Sequence, residues 1–304
     1  MLRNFLLALV WIAAVLVVVG FLGSLHRAAD SIAIVRPMLG IVCLLGVILG
    51  RALWDRAVFA AITLLAVSTT AVSFLPQPAG GDLRVYSKNL WFANAEVQTV
   101  AADIEAADVD VVMLQEVSDK NRSILGLLEP SFPHQHLCRF SGWSGIALAS
   151  RHPFAGDPEC SSWRAVLAAP VVVDGQRVWT VSAHVPWPWP HDSVQNEQAA
   201  EDVLSKLEGP IVIAGDFNIV PWSGRIERTA ALTGTQLAGP ARPTLYLRNI
   251  PLPIDLVLAP GGGAMEVRPN LGSDHAGVVA DVALWNTVDR WQSLAELLLR
   301  DFGS

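Results

Sequence analysis

Cationic side chains are scarce in most of this 304-residue chain. Residues 81–304 hold 16 Lys and Arg against 26 Asp and Glu, a net charge of about −10. Proteins that grip duplex nucleic acid set a basic face against its phosphates, and this balance excludes an overall surface of that kind, though not a local basic patch. Cysteine is rarer still, at Cys43, Cys138 and Cys160, too few for a fold held by a disulfide framework. No internal repeat and no low-complexity tract is present, which removes solenoid and biased-composition architectures. Charge itself is missing from two long runs, Phe5 to Leu25 and Ala57 to Leu75.

Both runs match the length of a bilayer-spanning helix. Between them Pro37 to Gly50 is uncharged but short. Extended back to Ser31 it becomes a span interrupted once, by Arg36, whose long side chain is expected to snorkel to the headgroups. Residues 1–75 are therefore expected to form a membrane domain of three helices. The first run is longer than the apolar region of a signal peptide, and two more hydrophobic segments follow it. Pro76-Gln77-Pro78-Ala79-Gly80-Gly81 reads as a linker.

Three spans would place the remaining chain opposite the N-terminus. Arg3, Arg51 and Arg56 then lie on one side, and Arg27 and Arg36 on the other. The bias is weak, and it favours a multi-pass cell-membrane protein whose following domain is extracytoplasmic. Cys43 falls inside a span. Cys138 and Cys160 leave two readings open, one disulfide in an oxidising compartment or two buried free thiols.

Residues 82–285 alternate short β-like runs with amphipathic stretches. Strands are expected at Leu83–Ser87, Val109–Glu116, Ser144–Ala149, Val166–Val173, Val178–Val181, Ile211–Ala214, Ile254–Leu258 and Gly277–Val282. Helical spacing marks Glu96–Ala107 and Val194–Leu207, and a terminal helix is expected at Ser293–Leu299 within residues 286–304. Many strands with few helices suggest two packed sheets with helices outside, an α/β (α+β) sandwich.

Polar residues gather at the ends of these runs. Asn89 follows the first strand, Glu116 ends the second, and His184 follows Val181-Ser182-Ala183. In Ile211-Val212-Ile213-Ala214-Gly215-Asp216-Phe217-Asn218, an apolar run ends in a carboxylate and an amide, and Gly215 is expected to let the chain turn. Asp255 begins Ile254-Asp255-Leu256-Val257, and Asp274 and His275 precede the last strand. Oxygen and imidazole groups fixed at the rim of a rigid sheet are what a hard metal ion or a water nucleophile needs.

The ordered set Lys88-Asn89-Leu90, Leu114-Gln115-Glu116-Val117, Ser182-Ala183-His184, Gly215-Asp216-Phe217-Asn218, Ile254-Asp255-Leu256-Val257 and Ser273-Asp274-His275 resembles the endonuclease/exonuclease/phosphatase superfamily. Ser150-Arg151-His152-Pro153 is similar to that family's Ser-Arg-x-Pro turn. The resemblance implies a four-layer sandwich of two mixed β-sheets flanked by helices, with the site at one edge, and metal-assisted hydrolysis of a phosphate ester. It implies Mg²⁺ (or Mn²⁺) held by Glu116, with Asn89 beside it and Asp274 orienting the site or serving a second metal. Asp216 would orient and deprotonate the attacking water, and Asn218 would position it or the phosphate. His275, kept protonated by Asp255, would hold positive charge against the phosphoryl oxygens. His184 would contact phosphate or donate a proton to the leaving oxygen.

The loop Val185-Pro186-Trp187-Pro188-Trp189-Pro190-His191 is read either as plain packing or as an apolar lip that meets the bilayer or a lipid tail. His191 is a further candidate phosphate contact. Three spans before such a domain look similar to membrane phosphohydrolases associated with glycopeptide-antibiotic resistance, an analogy of architecture. The expected partner is a phosphate ester, lipid-linked or from the envelope, met at the bilayer. An extracytoplasmic nuclease acting on DNA or RNA is the alternative within the same chemistry, disfavoured by charge. A non-catalytic membrane receptor or scaffold is the alternative from another class, opposed by the intact set of site residues.

Overall fold

The computed structural model describes residues 1–285; the helix expected at Ser293–Leu299 lies outside them. Three helices open the chain, α1 (Leu2–Val19), α2 (Arg27–Leu49) and α3 (Leu53–Ala71). Each, with α3 counted through Phe74, is long and apolar enough to cross a membrane. Leu9, Ile12, Leu44 and Leu64 point outward. Small residues let the helices approach, and a Cβ on Gly40 would meet Ala66 while one on Gly46 would meet Phe59.

Arg36 does not snorkel. It is buried, with Nη1 donating to the Gly20 carbonyl at 3.2 Å and Nη2 to the Trp222 carbonyl at 3.0 Å, and its guanidinium lies 3.8 Å from the Phe21 ring centre. Carbonyl acceptors at the end of α1 and on a loop of the following domain take up its donors instead. Trp222 Nε1 returns a bond to the Ala33 carbonyl at 2.7 Å, and Ala33, Val220 and Trp222 form a small apolar joint. The Arg27–Arg36 part of α2 thus stands against the second domain.

That domain begins with β1 (Leu83–Asn89), α4 (Val97–Ala106), β2 (Val111–Gln115), α5 (Ser123–Leu128), β3 (His134–Arg139) and β4 (Gly145–Ser150). It continues with β5 (Glu159–Cys160), β6 (Val166–Val173), β7 (Gln176–His184), α6 (Val194–Leu204), β8 (Ile211–Asp216), α7 (Gly224–Thr233) and β9 (Gln236–Leu237). A hairpin of β10 (Leu245–Leu247) and β11 (Ile250–Leu252) precedes β12 (Asp255–Ala259), β13 (Gly263–Arg268) and β14 (Gly277–Val282). Two six-stranded mixed sheets result, β13-β14-β1-β2-β4-β3 and β5-β6-β7-β8-β12-β9.

Alternating apolar side chains such as Val85, Met113, Leu148, Leu167, Val212 and Val257 fill the space between the sheets. The opposite face of the first sheet packs on α4 and α5 through Val100, Ile104 and Ile124, and that of the second packs on α6 and α7 through Val203, Leu204 and Ile226. This is the expected four-layer sandwich. Gln115 adds a polar stitch across its core, donating to Ser87 Oγ at 3.3 Å and Ser182 Oγ at 3.0 Å. At one edge a disulfide joins Cys138 on β3 to Cys160 on β5, so the two sheets are also linked covalently. The Pro/Gly segment before β1 lies against the domain, with Gln77 donating to the Leu237 carbonyl and accepting from Gly263 N.

Candidate active site

Strand register assembles the site. His184 on β7 pairs with Asp216 on parallel β8, and Asp216 pairs with Asp255 on antiparallel β12. Residues opposite one another share a face, so three strand ends give one row, His184, Asp216 and Asp255. In the first sheet Asn89 ends β1 opposite Gln115, and Glu116 follows. The rows meet where Asn89 Nδ2 donates to Asp216 Oδ2 at 3.0 Å and to Glu116 Oε1 at 3.3 Å.

Gly215 is not the turn. Its φ of +158° is extended strand, and glycine is required because a Cβ would collide with the Ala183 carbonyl on β7. Left-handed backbone falls instead on Asn218 (φ +49°) and Glu116 (φ +54°), each costing on the order of 1–2 kcal/mol in a non-glycine residue. Asn218 is held there by its Nδ2 bond to the Val185 carbonyl and by its backbone N–H on Asp216 Oδ1. Glu116 is held by Asn121 Nδ2 on its carbonyl and Phe92 N–H on its Oε2.

The charges follow from burial. Burial raises the Asp216 carboxyl to about 7, against the pull of His275 and with the push of Asp255. Burial opposes a charge on His275, yet Asp255 and Asp216 outweigh it and lift the imidazole to about 10. Asp255 Oδ2 lies 2.8 Å from His275 Nδ1, so the pair is a buried, charge-assisted hydrogen bond. Burial first, then Arg164 and His275, pushes His184 well below its ordinary value. It is a neutral imidazole whose Nε2 faces Glu116 at 3.8 Å and Asp216 at 3.7 Å, while buried Nδ1 has no partner among the described residues. This suits an N–H contact better than an acid at neutral pH.

The row opens into a cleft of about 840 Å³ lined also by Asp274, Arg164, Trp189 and Tyr246. Asp274 is exposed at its rim, 3.5 Å from Ser273 Oγ, and joins neither Glu116 nor Asn89 in any contact among the described residues. His191 is exposed on the same wall.

Three supporting residues carried no readable signal of their own. Lys88 is buried, its amine lowered to about 8 by burial, and its Nζ donates to the His275 carbonyl at 2.9 Å. Arg164 lies in the cleft, where Glu116 and Asp216 act on its charge. Arg225 is buried behind the site and donates to the carbonyls of Phe217 (3.0 Å) and Pro186 (2.8 Å). Only Lys88 adjoined a motif; Arg164 lies on the loop before β6 and Arg225 in the first turn of α7.

The model of the endonuclease/exonuclease/phosphatase family matches residues 86–275, and so spans every residue of the row. The chain belongs to this family. It is therefore a phosphoester hydrolase of a family that uses divalent metals. Among solved structures, an endonuclease/exonuclease/phosphatase from Beutenbergia cavernae matches with 24% identity over 67% of this chain and 72% of that one, at a TM-score of 0.51. A beta toxin variant from Staphylococcus aureus with bound magnesium ions shares 12% identity over 66% and 99% of the two chains, with a TM-score of 0.51. D. rerio TDP2 complexed with a single-strand DNA product shares 15% over 65% and 97%, with a TM-score of 0.53. Curated proteins give no match by sequence.

Two donor sets compete for the family's metal. Donor atoms of Asp216, Asp255 and His275 lie within 4.8 Å of one another, but His275 is cationic and already bonded to Asp255, so that set repels a second cation. Glu116 fits a hard cation better, being a carboxyl oxygen donor half-buried beside the neutral His184. Asn89 turns its amide nitrogen toward both carboxylates and bridges them.

Proposed function

We propose that this chain is a membrane-anchored, Mg²⁺-dependent phosphohydrolase that cleaves a lipid-linked phosphate at the bilayer surface on the extracytoplasmic side. One observation carries the lipid reading: a membrane-type helix walls the catalytic cleft. Ser31 and Ile34 of α2 line it together with the Trp187–Pro190 loop. Trp189, Tyr246 and Leu247 are more than half exposed there, and indole and phenol side chains favour the membrane interface. Ala241 N–H bonds to the Ser73 carbonyl at the end of α3, which ties the segment leading into β10 to that apolar helix. The Cys138–Cys160 disulfide supports an oxidising compartment.

Glu116 would hold Mg²⁺, which would polarise a phosphoryl oxygen and offset developing charge. Asp216 orients a water and accepts its proton as the water oxygen bonds phosphorus. Asn218 and Asn89 fix the carboxylate through its hydrogen bonds. The P–O ester bond breaks, and the departing alkoxide takes a proton from solvent. Protonated His275 and the His184 N–H stabilise the phosphoryl oxygens, with Asp255 keeping His275 charged.

The test uses the full chain in detergent, offered plasmid DNA, a prenyl pyrophosphate and a phosphoinositide with Mg²⁺ or with EDTA. EDTA-sensitive hydrolysis of a lipid is expected. Nicking of the plasmid with the lipids untouched would replace this reading with a nuclease. A reporter fused after Ser304 is expected to give an extracytoplasmic signal, and a cytoplasmic one would overturn the orientation.

A further inference from the structure

The phosphate site has two open flanks of opposite character. One faces α2 and is walled by Ile34, Trp189 and Leu247. The other runs past Arg164 into a second cleft of about 580 Å³, which shares Trp143, Arg164, Pro186 and His191 with the first. That second cleft carries two indoles, Trp143 and Trp163, each 53% exposed, beside the hydroxyls of Ser141 and Ser162 and the amide of Asn196. Its size lies within the range, about 300–1,000 Å³, of ordinary small-molecule pockets.

The cleft is held in shape. Ser161 is buried, accepts from Val166 N–H and donates to the Trp163 carbonyl at 2.6 Å. Asn196 Nδ2 donates to the Arg164 carbonyl at 2.6 Å, and Arg164 Nη1 to Ser144 Oγ at 3.2 Å. Arg164 also lies 5.4 Å from the Trp143 ring centre. Two loops are thereby fixed with their indoles presented to solvent, which lowers the ordering cost of binding.

We propose that this second cleft binds the alcohol arm of a phosphodiester, a sugar or cyclitol headgroup, so that the substrate is a lipid phosphate carrying a polyhydroxylated ring. The proposal rests on the lipid reading above and names its substrate class. Indole faces cover the C–H faces of such a ring, while serine and amide groups meet its hydroxyls. A nucleic-acid strand or a second phosphate fits less well, since the acidic Asp192 lines the cleft and Arg164 is the sole arginine or lysine lining it among the described residues. The apolar flank is left for the lipid arm, and the phosphate lies between the two at Arg164.

The full chain in detergent micelles, with Mg²⁺, is compared on phosphatidylinositol and on phosphatidic acid with the same acyl chains. Wild type is expected to prefer the diester about tenfold in kcat/KM, and Trp163→Ala to erase that preference by raising KM for the diester. Glycerophosphoinositol is titrated separately by indole fluorescence, with glycerol 3-phosphate as control. A saturable change with the former, absent in Trp163→Ala, is expected. A preference for phosphatidic acid, or an equal effect of Trp163→Ala on both lipids, overturns the proposal while leaving the phosphohydrolase intact. Trp163-dependent cleavage of a single-stranded oligonucleotide would instead make the cleft a base-stacking site. Hydrolysis of no phosphate ester alongside Trp163-dependent titration would sink the activity and keep the headgroup site.

Discussion

Asp216 combines two properties that usually exclude one another, being fully enclosed and yet asked to carry charge. A carboxyl held at about 7 is poised to exchange a proton near neutrality. Asp216→Asn is expected to lower kcat about 10³-fold, the scale of a lost general base. The same change should stabilise the metal-free protein at pH 8. A folded carboxyl at about 7 lies above its unfolded value near 3.9, so stability falls as pH rises between the two and stays low above. Asparagine removes that loss. Melting in EDTA is expected to rise by roughly 2–4 °C for each kcal/mol relieved, with the gain gone near pH 4; an unchanged melting temperature at pH 8 would contradict the buried charge. For His275 stability falls with rising pH in the same direction, but what is lost is a stabilising contribution. Its folded value of about 10 lies above the unfolded one, so its contribution is full below about pH 6.5 and is lost as pH rises through about 10. Asp255→Asn should move the alkaline limb of the pH–rate profile down by roughly 1–3 units, and a fixed limb would show that Asp255 does not set the charge.

Among elements, the site is a product of register. His184, Asp216 and Asp255 line up because β7, β8 and β12 pair end to end, and each lies at the end of an apolar run. That is why these residues were legible in sequence: a buried strand declares where it stops. The framework strands were legible for the same reason. Edge strands β3 and β13, short β5 and β9, the hairpin β10–β11 and helices α5 and α7 were not: the edge strands mix polar with apolar residues, two or three residues carry no periodicity, α5 is barely more than a turn and α7 is mostly polar. Arg164 and Arg225 were invisible because their roles depend on partners far along the chain. Helix α7 has a further function in joining α2 to the site. Asp30 of α2 accepts from Arg225 N–H at 3.3 Å and pairs with Arg228 at 3.7 Å, while Arg225 pairs with Glu197 at 2.7 Å and braces the backbone between Asp216 and Asn218. Arg225→Lys keeps the charge but loses the planar fork. It is expected to lower kcat about tenfold with KM little changed and circular dichroism preserved, about 1.4 kcal/mol of transition-state stabilisation. A change in KM alone would assign Arg225 to substrate binding instead.

For the whole molecule, two sheets that share an apolar interior are also tied at their edge strands by the Cys138–Cys160 bond, which closes a loop with a sequence separation of 22. Closing a loop of that length contributes on the order of 3 kcal/mol, so Cys138→Ser with Cys160→Ser should melt several degrees lower, and an unchanged melting temperature would show the tie to be dispensable. The docking of Arg36 on Gly20 and Trp222 has a consequence for the lipid around the protein. With Arg27–Arg36 committed to the catalytic domain, the rest of α2, Pro37 to Leu49, spans about 20 Å, against a hydrocarbon thickness of about 30 Å. The shortfall lies beneath the cleft that Ser31 and Ile34 wall. With the helices placed in a bilayer as proposed, hydrophobic mismatch there would thin the leaflet locally, drawing headgroups down toward Asp216 and His275. Turnover in vesicles should therefore rise as acyl chains shorten, even for one fixed substrate, making the protein a gauge of bilayer thickness as well as an enzyme within it.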